Sequence, residues 1–112
     1  MVVRDLREYV TRQGRCPFLD WLRGLKDWQM REIIRRRLDR LEMGNLGDAR
    51  SVGSGVKELR VHFGPGLRVY FGDDGPLLII LLCGGDKRSQ GRDIDKAKAY
   101  WSDYQERKTH GT

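Results

Sequence analysis

Apolar and polar side chains alternate along three short runs between residues 56 and 90, in the segment VKELRVHFGPGLRVYFGDDGPLLIILLCGGDKRSQ. The runs are separated by Gly64-Pro65-Gly66 and by Asp73-Asp74-Gly75, which are residue types that favour turns. Side chains alternate between the two faces of a strand, so the pattern predicts three strands joined by turns. The third run, residues 77–83, is continuously apolar and predicts a central strand buried on both faces.

The alternation sorts the first two predicted strands into an apolar face and a polar face. If residues 64–66 close the hairpin, His62 pairs with Arg68 and Arg60 pairs with Tyr70. The polar face then collects two arginines, an imidazole and a phenol, a set that suits a phosphate backbone. The apolar face is available for helices to cover, and its residues are Leu59, Val61, Phe63, Leu67, Val69 and Phe71.

Helical signals lie on both sides of these strands. Pro17 is placed to open a short helix that Gly24 closes, and Asp27 is a good N-cap for a longer helix ending near Met43. Asp93 is the predicted cap of a final helix. Residues 3–11 predict a polar edge strand, and the Gly-, Asn- and Ser-rich residues 44–55 predict a loop.

These elements predict a small α+β fold of the order β-α-α-β-β-β-α, with an antiparallel sheet and the helices on one of its faces. The length of 112 residues fits one domain, which we place at residues 1–106, followed by a flexible tail at 107–112.

The chain is basic, with 22 Lys and Arg against 16 Asp and Glu, a net charge of +6 and a pI near 9.7. This charge favours a polyanionic partner such as nucleic acid, although it would also serve solubility or an acidic protein partner. Cys16 and Cys83 form no CxxC motif and predict free thiols in a reducing cytoplasm. The charged N-terminus lacks a signal-peptide core, and no membrane association is expected.

The sequence contains no paired catalytic carboxylates, nucleophile elbow, phosphate-binding glycine loop or metal motif. We therefore expect no cofactor and no metal. Any catalysis would depend on Arg, Lys, His and Tyr, which suits metal-independent RNA cleavage in which cations stabilise a phosphorane.

Each candidate also has a structural interpretation. Arg60 and Arg68 are either a phosphate site or sheet-surface arginines paired with Glu58. His62 is either a general base or a surface residue without a role, and Tyr70 either stacks on a base or covers the sheet. The arginine stripe of the second helix resembles a nucleic-acid-binding face but more often marks a solvated face, and it comprises Arg31, Arg35, Arg36 and Arg40.

The segments VKELR, FGPGLRVYF, LLCGGDKRSQ and DIDKA together resemble the RelE/ParE superfamily of bacterial toxins, in its HigB-like "addiction module killer protein" branch. FLDWLRGL and RRLDRLEMGNLGD fit the same pattern, so the resemblance covers residues 3–104. It implies a small α/β domain that is the toxin half of a type II toxin–antitoxin pair. RelE- and HigB-like members cleave mRNA in the ribosomal A site without metal, whereas ParE-like members poison DNA gyrase.

The resemblance also implies partners and residue roles. The partners are a cognate antitoxin, often a helix-turn-helix DNA-binding protein, and the ribosome with its mRNA. Arg68 matches a position that holds the scissile phosphate, and Lys57 and Arg60 fall in the segment that supplies further basic strand residues. Lys87 and Arg88 match a basic pair after the last strand.

The sequence departs from several ribosome-dependent relatives at the start of the final helix. Those relatives have a tyrosine or histidine there, whereas this chain has Arg92-Asp93-Ile94. Proton transfer would then fall to Lys57, His62 or Tyr70, and Arg92 would be a substrate contact.

Three functions follow. The leading one is a ribosome-dependent mRNA endoribonuclease, and the second is a gyrase inhibitor of the ParE type. The third is a non-catalytic binding module, in which Trp21, Trp28 and Trp101 matter more than the arginines.

Overall fold

The computed structural model describes residues 3–109, which form five strands, three α-helices and one 3₁₀ helix. The 3₁₀ helix, Lys87–Ser89, leads directly into the last α-helix. In chain order the other elements are β1 (Asp5–Glu8), α1 (Pro17–Gly24), α2 (Trp28–Glu42), β2 (Ala49–Gly53), β3 (Val56–Val61), β4 (Leu67–Asp74), β5 (Leu78–Asp86) and α3 (Gln90–Thr109).

The strands form a single sheet in the order β1-β5-β4-β3-β2. The α+β class is confirmed, but the sheet is mixed rather than antiparallel because β1 pairs parallel with β5. The prediction of a loop over residues 44–55 is wrong in part, since β2 lies within it. Backbone pairing with β3, interrupted by an irregularity between Ser51 and Gly53, forms this strand without an apolar alternation of its own.

Helices cover both faces of the sheet, so the prediction that they share one face is wrong. Phe18 of α1 and Ile34 of α2 join Leu59, Val69 and Phe71 in one apolar core. α3 lies on the opposite face, where its residues Ala97 and Trp101 pack with Val56, Tyr70, Ile80 and Leu82. β5 is an interior strand buried on both faces, as its continuous apolar sequence predicts.

The hairpin between β3 and β4 has a different register from the predicted one. Arg60 is paired with Arg68 and Glu58 with Tyr70, because the connection covers residues 62–66 instead of 64–66. The predicted pairs, His62 with Arg68 and Arg60 with Tyr70, are therefore wrong. The shift moves each partner by two positions, and a shift of two leaves every side chain on its predicted face.

The helix ends follow local capping rules with one exception. The Asp27 carboxylate accepts a hydrogen bond from the Gln29 amide at 2.8 Å and caps α2 as predicted. The last helical segment is instead capped by Asp86, whose carboxylate accepts from the amides of Arg88 and Ser89. Asp93 is thus not the cap; it lies buried in the first turn of α3 and receives a hydrogen bond from the Ser89 hydroxyl.

α3 continues to Thr109, three residues past the predicted end of the domain, and residues 110–112 of the predicted tail lie outside the described residues. The side chain of Lys108 reaches Asp74 at the end of β4. Within residues 3–109, no helix combines the length and apolar character that a bilayer crossing requires.

Two glycines let tryptophans approach the two faces of the sheet. A Cβ added at Gly84 of β5 would lie 2.1 Å from the Trp21 ring of α1. A Cβ at Gly72 of β4 would lie 2.6 Å from the Trp101 ring of α3. The absence of a side chain at each position therefore sets how closely α1 and α3 pack on the sheet.

Candidate functional site

A carboxylate is fully buried on the α3 side of the sheet. Glu58 of β3 has 0% of its surface exposed, although carboxylates are almost never fully buried unless they are paired. Its Oε2 accepts hydrogen bonds from the Tyr70 hydroxyl at 3.0 Å and from the Gln90 amide at 2.9 Å. The first residue of α3 therefore closes over this carboxylate.

Three arginines from three adjacent strands surround Glu58. The Nε atoms of Arg50 and Arg60 lie 3.1 and 3.2 Å from Oε1, and the Nε atom of Arg68 lies 3.6 Å from Oε2. The strand register produces this arrangement, since Arg50 pairs with Glu58 and Arg60 with Arg68. One negative charge faces three positive charges, so the group, which we call the Glu58 cluster, keeps an excess of cationic charge.

Arg68 is the most buried of these arginines. Its side chain is only 10% exposed, and its Nη1 donates to the Gly66 carbonyl at 3.0 Å. A Cβ built on Gly66 would be within 3.7 Å of both Arg68 Nη1 and Lys87 Cβ, so Lys87 flanks the same turn. Arg60 and Arg50 are more open, at 33% and 52% side-chain exposure, and present donors to solvent.

The titratable groups of the Glu58 cluster are held in fixed protonation states near neutral pH. Burial alone would raise the pKa of Glu58, but hydrogen bonds from Gln90, Arg60, Tyr70 and Arg50 outweigh it and lower the pKa below the ordinary value. Burial and the adjacent Glu58 carboxylate raise the pKa of Tyr70. The cluster can therefore stabilise an anion, but its own carboxylate and phenol are not poised to exchange protons.

The structure separates several residues that the sequence groups together. Lys57 lies on the opposite face of the sheet from Arg60, and its ammonium is 2.7 Å from Asp73. Tyr70 is fully buried, so its predicted role as a stacking platform does not fit its position. His62 lies beyond the end of β3 with its Nε2 2.5 Å from Asp48.

The other predicted substrate contacts lie near the start of α3. Lys87 and Arg88 belong to the 3₁₀ helix that follows β5, and Arg88 is highly exposed with Asp86 3.7 Å away. Arg92 is exposed on the first turns of α3. Of these three, Lys87 lies at the Gly66 turn that Arg68 also flanks.

Arg50 and Gln90 are absent from the sequence-based site. Arg50 falls in the segment predicted as a loop, and the pairing that brings it to Glu58 is long-range. A usable signal existed for Glu58 itself, because it lies two residues from Arg60 and therefore on the same polar face of the strand. Trp101 is buried and Trp21 half-buried, so neither is the exposed residue expected for a binding module, whereas Trp28 is 66% exposed.

Among residues 3–109, His, Cys, Asp and Glu form no group of three or more that could hold a metal ion. No known family model matches the chain. An uncharacterized protein of Haemophilus influenzae (strain ATCC 51907 / DSM 11121 / KW20 / Rd) is 47% identical over 81 residues, which cover 72% of this chain and 82% of that protein. The chain belongs to the same family as this Haemophilus protein. Membership of this family does not assign an activity to the site.

Proposed function

We propose that this protein is the toxin of a type II toxin–antitoxin module and a metal-independent, ribosome-dependent mRNA endoribonuclease of the cytoplasm. The observation that carries the proposal is the Glu58 cluster, in which Arg50, Arg60 and Arg68 converge on one buried carboxylate. The proposal also draws on the resemblance of the sequence to RelE/ParE toxins. The partners would be a helix-turn-helix antitoxin and the translating ribosome.

In this reaction the ribose 2′-hydroxyl attacks the adjacent phosphorus, and the bond from phosphorus to the 5′-oxygen breaks. The dianionic phosphorane gains charge on its equatorial oxygens, and preorganised guanidinium groups lower its energy. Arg68 is preorganised by Glu58 and by the Gly66 carbonyl, and the more open Arg60 would complete the phosphate contact. Lys87 would add positive charge from the neighbouring turn.

Proton transfer would come from outside the Glu58 cluster, because Glu58 and Tyr70 do not change protonation near neutral pH. His62 is the chain's candidate base, and it is exposed beside Asp48. The ribosome could equally supply the acid or base, which would explain a requirement for it.

The test is tightly induced expression in bacteria, with growth followed and mRNA 5′ ends mapped. Wild type is compared with Arg60→Gln and Arg68→Ala, and Arg23→Gln is the matched control because Arg23 is exposed on α1. Arg68 is largely buried, so its truncation will also lower stability; thermal unfolding of each purified variant separates that effect.

We expect growth arrest with new cuts in translated messages for wild type and Arg23→Gln, and loss of both for a folded Arg60→Gln. Growth arrest without mRNA cleavage, accompanied by a DNA-damage response, would indicate a gyrase inhibitor instead of a nuclease. No arrest on expression alone would favour a non-catalytic partner of a regulator.

A further inference from the structure

A second basic cleft lies where the C-terminal half of α2 meets the end of β3. Its charged lining consists of Arg37 and Arg40 from α2, Asp48 from the loop before β2, and Arg60 and His62 from β3 and the residue after it. Arg60 lines the cleft and also contacts Glu58, but α2 covers the opposite face of the sheet from the Glu58 cluster. The cleft is therefore a separate basic site.

The two arginines that α2 contributes to this cleft have no carboxylate partner among the described residues. Within residues 3–109, neither Arg37 nor Arg40 lies within 4.0 Å of an Asp or Glu oxygen. Asp48 instead contacts the His62 ring at 2.5 Å. Arg37 is fixed over Gly47 by donating to the Leu46 carbonyl at 2.9 Å. Arg37 and Arg40 therefore have no ion-pair partner among the described residues, although Asp48 lines the same cleft.

Burial and the nearby positive charge of Arg40 lower the pKa of Arg37. The Asp48 carboxylate has the opposite and smaller effect on the pKa of Arg37. Arginines outnumber carboxylates in the lining of the cleft, which favours a bound anion.

An exposed aromatic surface adjoins the cleft. Trp28 and Phe63 line a groove with Gln29, Glu32 and Arg36, and Ile33 forms a wall of both this groove and the basic cleft. The Trp28 side chain is 66% exposed at the start of α2. Glu32 contributes little negative charge to the groove, since Arg35 and Arg36 pair with it at 3.5 and 3.7 Å.

We propose that this aromatic groove and basic cleft together bind single-stranded RNA. Backbone phosphates would contact Arg37 and Arg40, and a base would stack on Trp28. Aromatic side chains beside a basic groove are the usual means of binding single strands without sequence preference. The inference rests on the proposed function in one respect, because the bound single strand would be the RNA that the proposed nuclease cleaves.

The lining favours RNA over an acidic protein segment. Guanidinium groups fit phosphate oxygens with paired hydrogen bonds, and the exposed indole offers a flat surface for a base. An acidic segment would use the arginines but would have no requirement for the indole.

Binding is measured off the ribosome by fluorescence anisotropy with a labelled 2′-O-methyl oligouridine, which cannot be cleaved by attack of the 2′-oxygen. Trp28→Ala should weaken binding roughly tenfold through loss of stacking. Arg40→Gln should weaken it several-fold and reduce the slope of log K against log salt by about 0.7, the value for one phosphate contact on a single strand. Arg23→Gln removes the same charge outside the cleft and should bind as wild type does.

Circular dichroism of each variant establishes that it is folded. If Arg40→Gln and Trp28→Ala bind no more weakly than Arg23→Gln, the RNA site is refuted. Displacement of the RNA by a polyglutamate peptide, with affinity for the peptide lost in Arg40→Gln but kept in Trp28→Ala, would assign the cleft to an acidic protein instead.

These results are separable from those on the proposed nuclease. If mRNA is cleaved in cells but substitutions in the cleft do not affect RNA binding, the proposed nuclease is supported and this inference is refuted. If RNA binding depends on Trp28 and Arg40 but no mRNA is cleaved in cells, this inference is supported and the proposed nuclease is refuted.

Discussion

The two faces of the sheet are both buried, yet they differ in what they bury. The face under α1 and α2 is filled by apolar side chains such as Leu59, Val69 and Phe71. The face under α3 is apolar around Trp101, but at the start of the helix it encloses the Glu58 carboxylate. The first face is mainly apolar, with the Lys57–Asp73 ion pair on it, whereas the second combines packing with a network of charges around a buried carboxylate.

Adjacent residues of β4 show the difference most directly. Tyr70 and Phe71 are both fully buried, but Tyr70 donates its hydroxyl to Glu58 whereas Phe71 packs in the apolar core. A charge network positions guanidinium groups for a ligand, which an apolar core cannot do. The comparison suggests that α1 and α2 secure the fold while the start of α3 secures the site.

The largest expected effect is on the apolar face. Phe71→Ala should lower the free energy of unfolding by about 3–5 kcal/mol, because it removes a fully buried ring and leaves a cavity. Urea denaturation followed by circular dichroism measures this loss. Leu77→Ala, at an exposed position, is the control and should change stability by less than about 0.5 kcal/mol. Equal effects of the two changes would contradict the assignment of this core.

Glu58→Gln tests the charge network on the other face. It should destabilise the protein by about 3 kcal/mol, since three arginines lose the carboxylate that they share. Glu32→Gln removes an exposed partner of Arg35 and Arg36 and should cost less than about 1 kcal/mol. A Glu58→Gln protein as stable as wild type would show that the network does not support the fold.

The free energy of unfolding of Glu58→Gln should also depend on pH differently from that of wild type. The pKa of Glu58 is lowered in the folded protein, so its stabilising effect is present above the unfolded value of 4.5 and is lost as the pH falls through the folded value. The stability difference between wild type and Glu58→Gln should therefore be constant near neutral pH and shrink below about pH 4. Unfolding free energies measured from pH 7 to pH 3 test this, and a difference that grows on acidification contradicts it.

Alanine at Gly84 or Gly72 tests the close approach of a tryptophan to each face. Each added Cβ would clash with an indole ring, and we expect a loss of about 1–3 kcal/mol for each. Gly91→Ala is the control, because a Cβ there meets nothing within 4 Å. Thermal unfolding of the three variants measures the loss, and tolerance at only one of the two faces would show that its helix can shift.

The smallest expected effect comes from one hydroxyl. Tyr70→Phe should cost about 1.5 kcal/mol, because Glu58 loses one hydrogen bond but keeps its other donors. The reverse change, Phe71→Tyr, places a hydroxyl in the apolar core and should cost at least as much. Chemical denaturation of both variants compares the two faces at neighbouring positions, and a neutral Phe71→Tyr would contradict a dry apolar face.

Much of the fold could be predicted because its signals are local. Pro17 and Gly24 bound α1, Asp27 caps α2, and the continuous apolar run becomes the interior strand β5. The error at the start of α3 is also local in origin. The sequence predicts Asp93 as the cap, but it is the Asp86 carboxylate that accepts hydrogen bonds from the amides of Arg88 and Ser89.

The candidate site was predictable only in part. Arg60 and Arg68 share a face whichever of the two registers forms, so the alternation sufficed to group them. Placing His62 correctly required knowledge of the hairpin register, and placing Arg50 required knowledge that β2 pairs with β3. Lys57 was grouped with the arginines through the resemblance to RelE/ParE toxins, although it alternates to the opposite face.

The sequence by itself determined which side chains share a face of each strand and where α1 and α2 begin, because these depend on backbone geometry over a few residues. Only the tertiary structure decided the hairpin register, the existence of β2 and the placing of α3 on the second face. Each of these depends on contacts between residues far apart in the chain. The burial of Glu58 among three arginines is the combined result, since it needs β2, β4 and Gln90 to meet at one point.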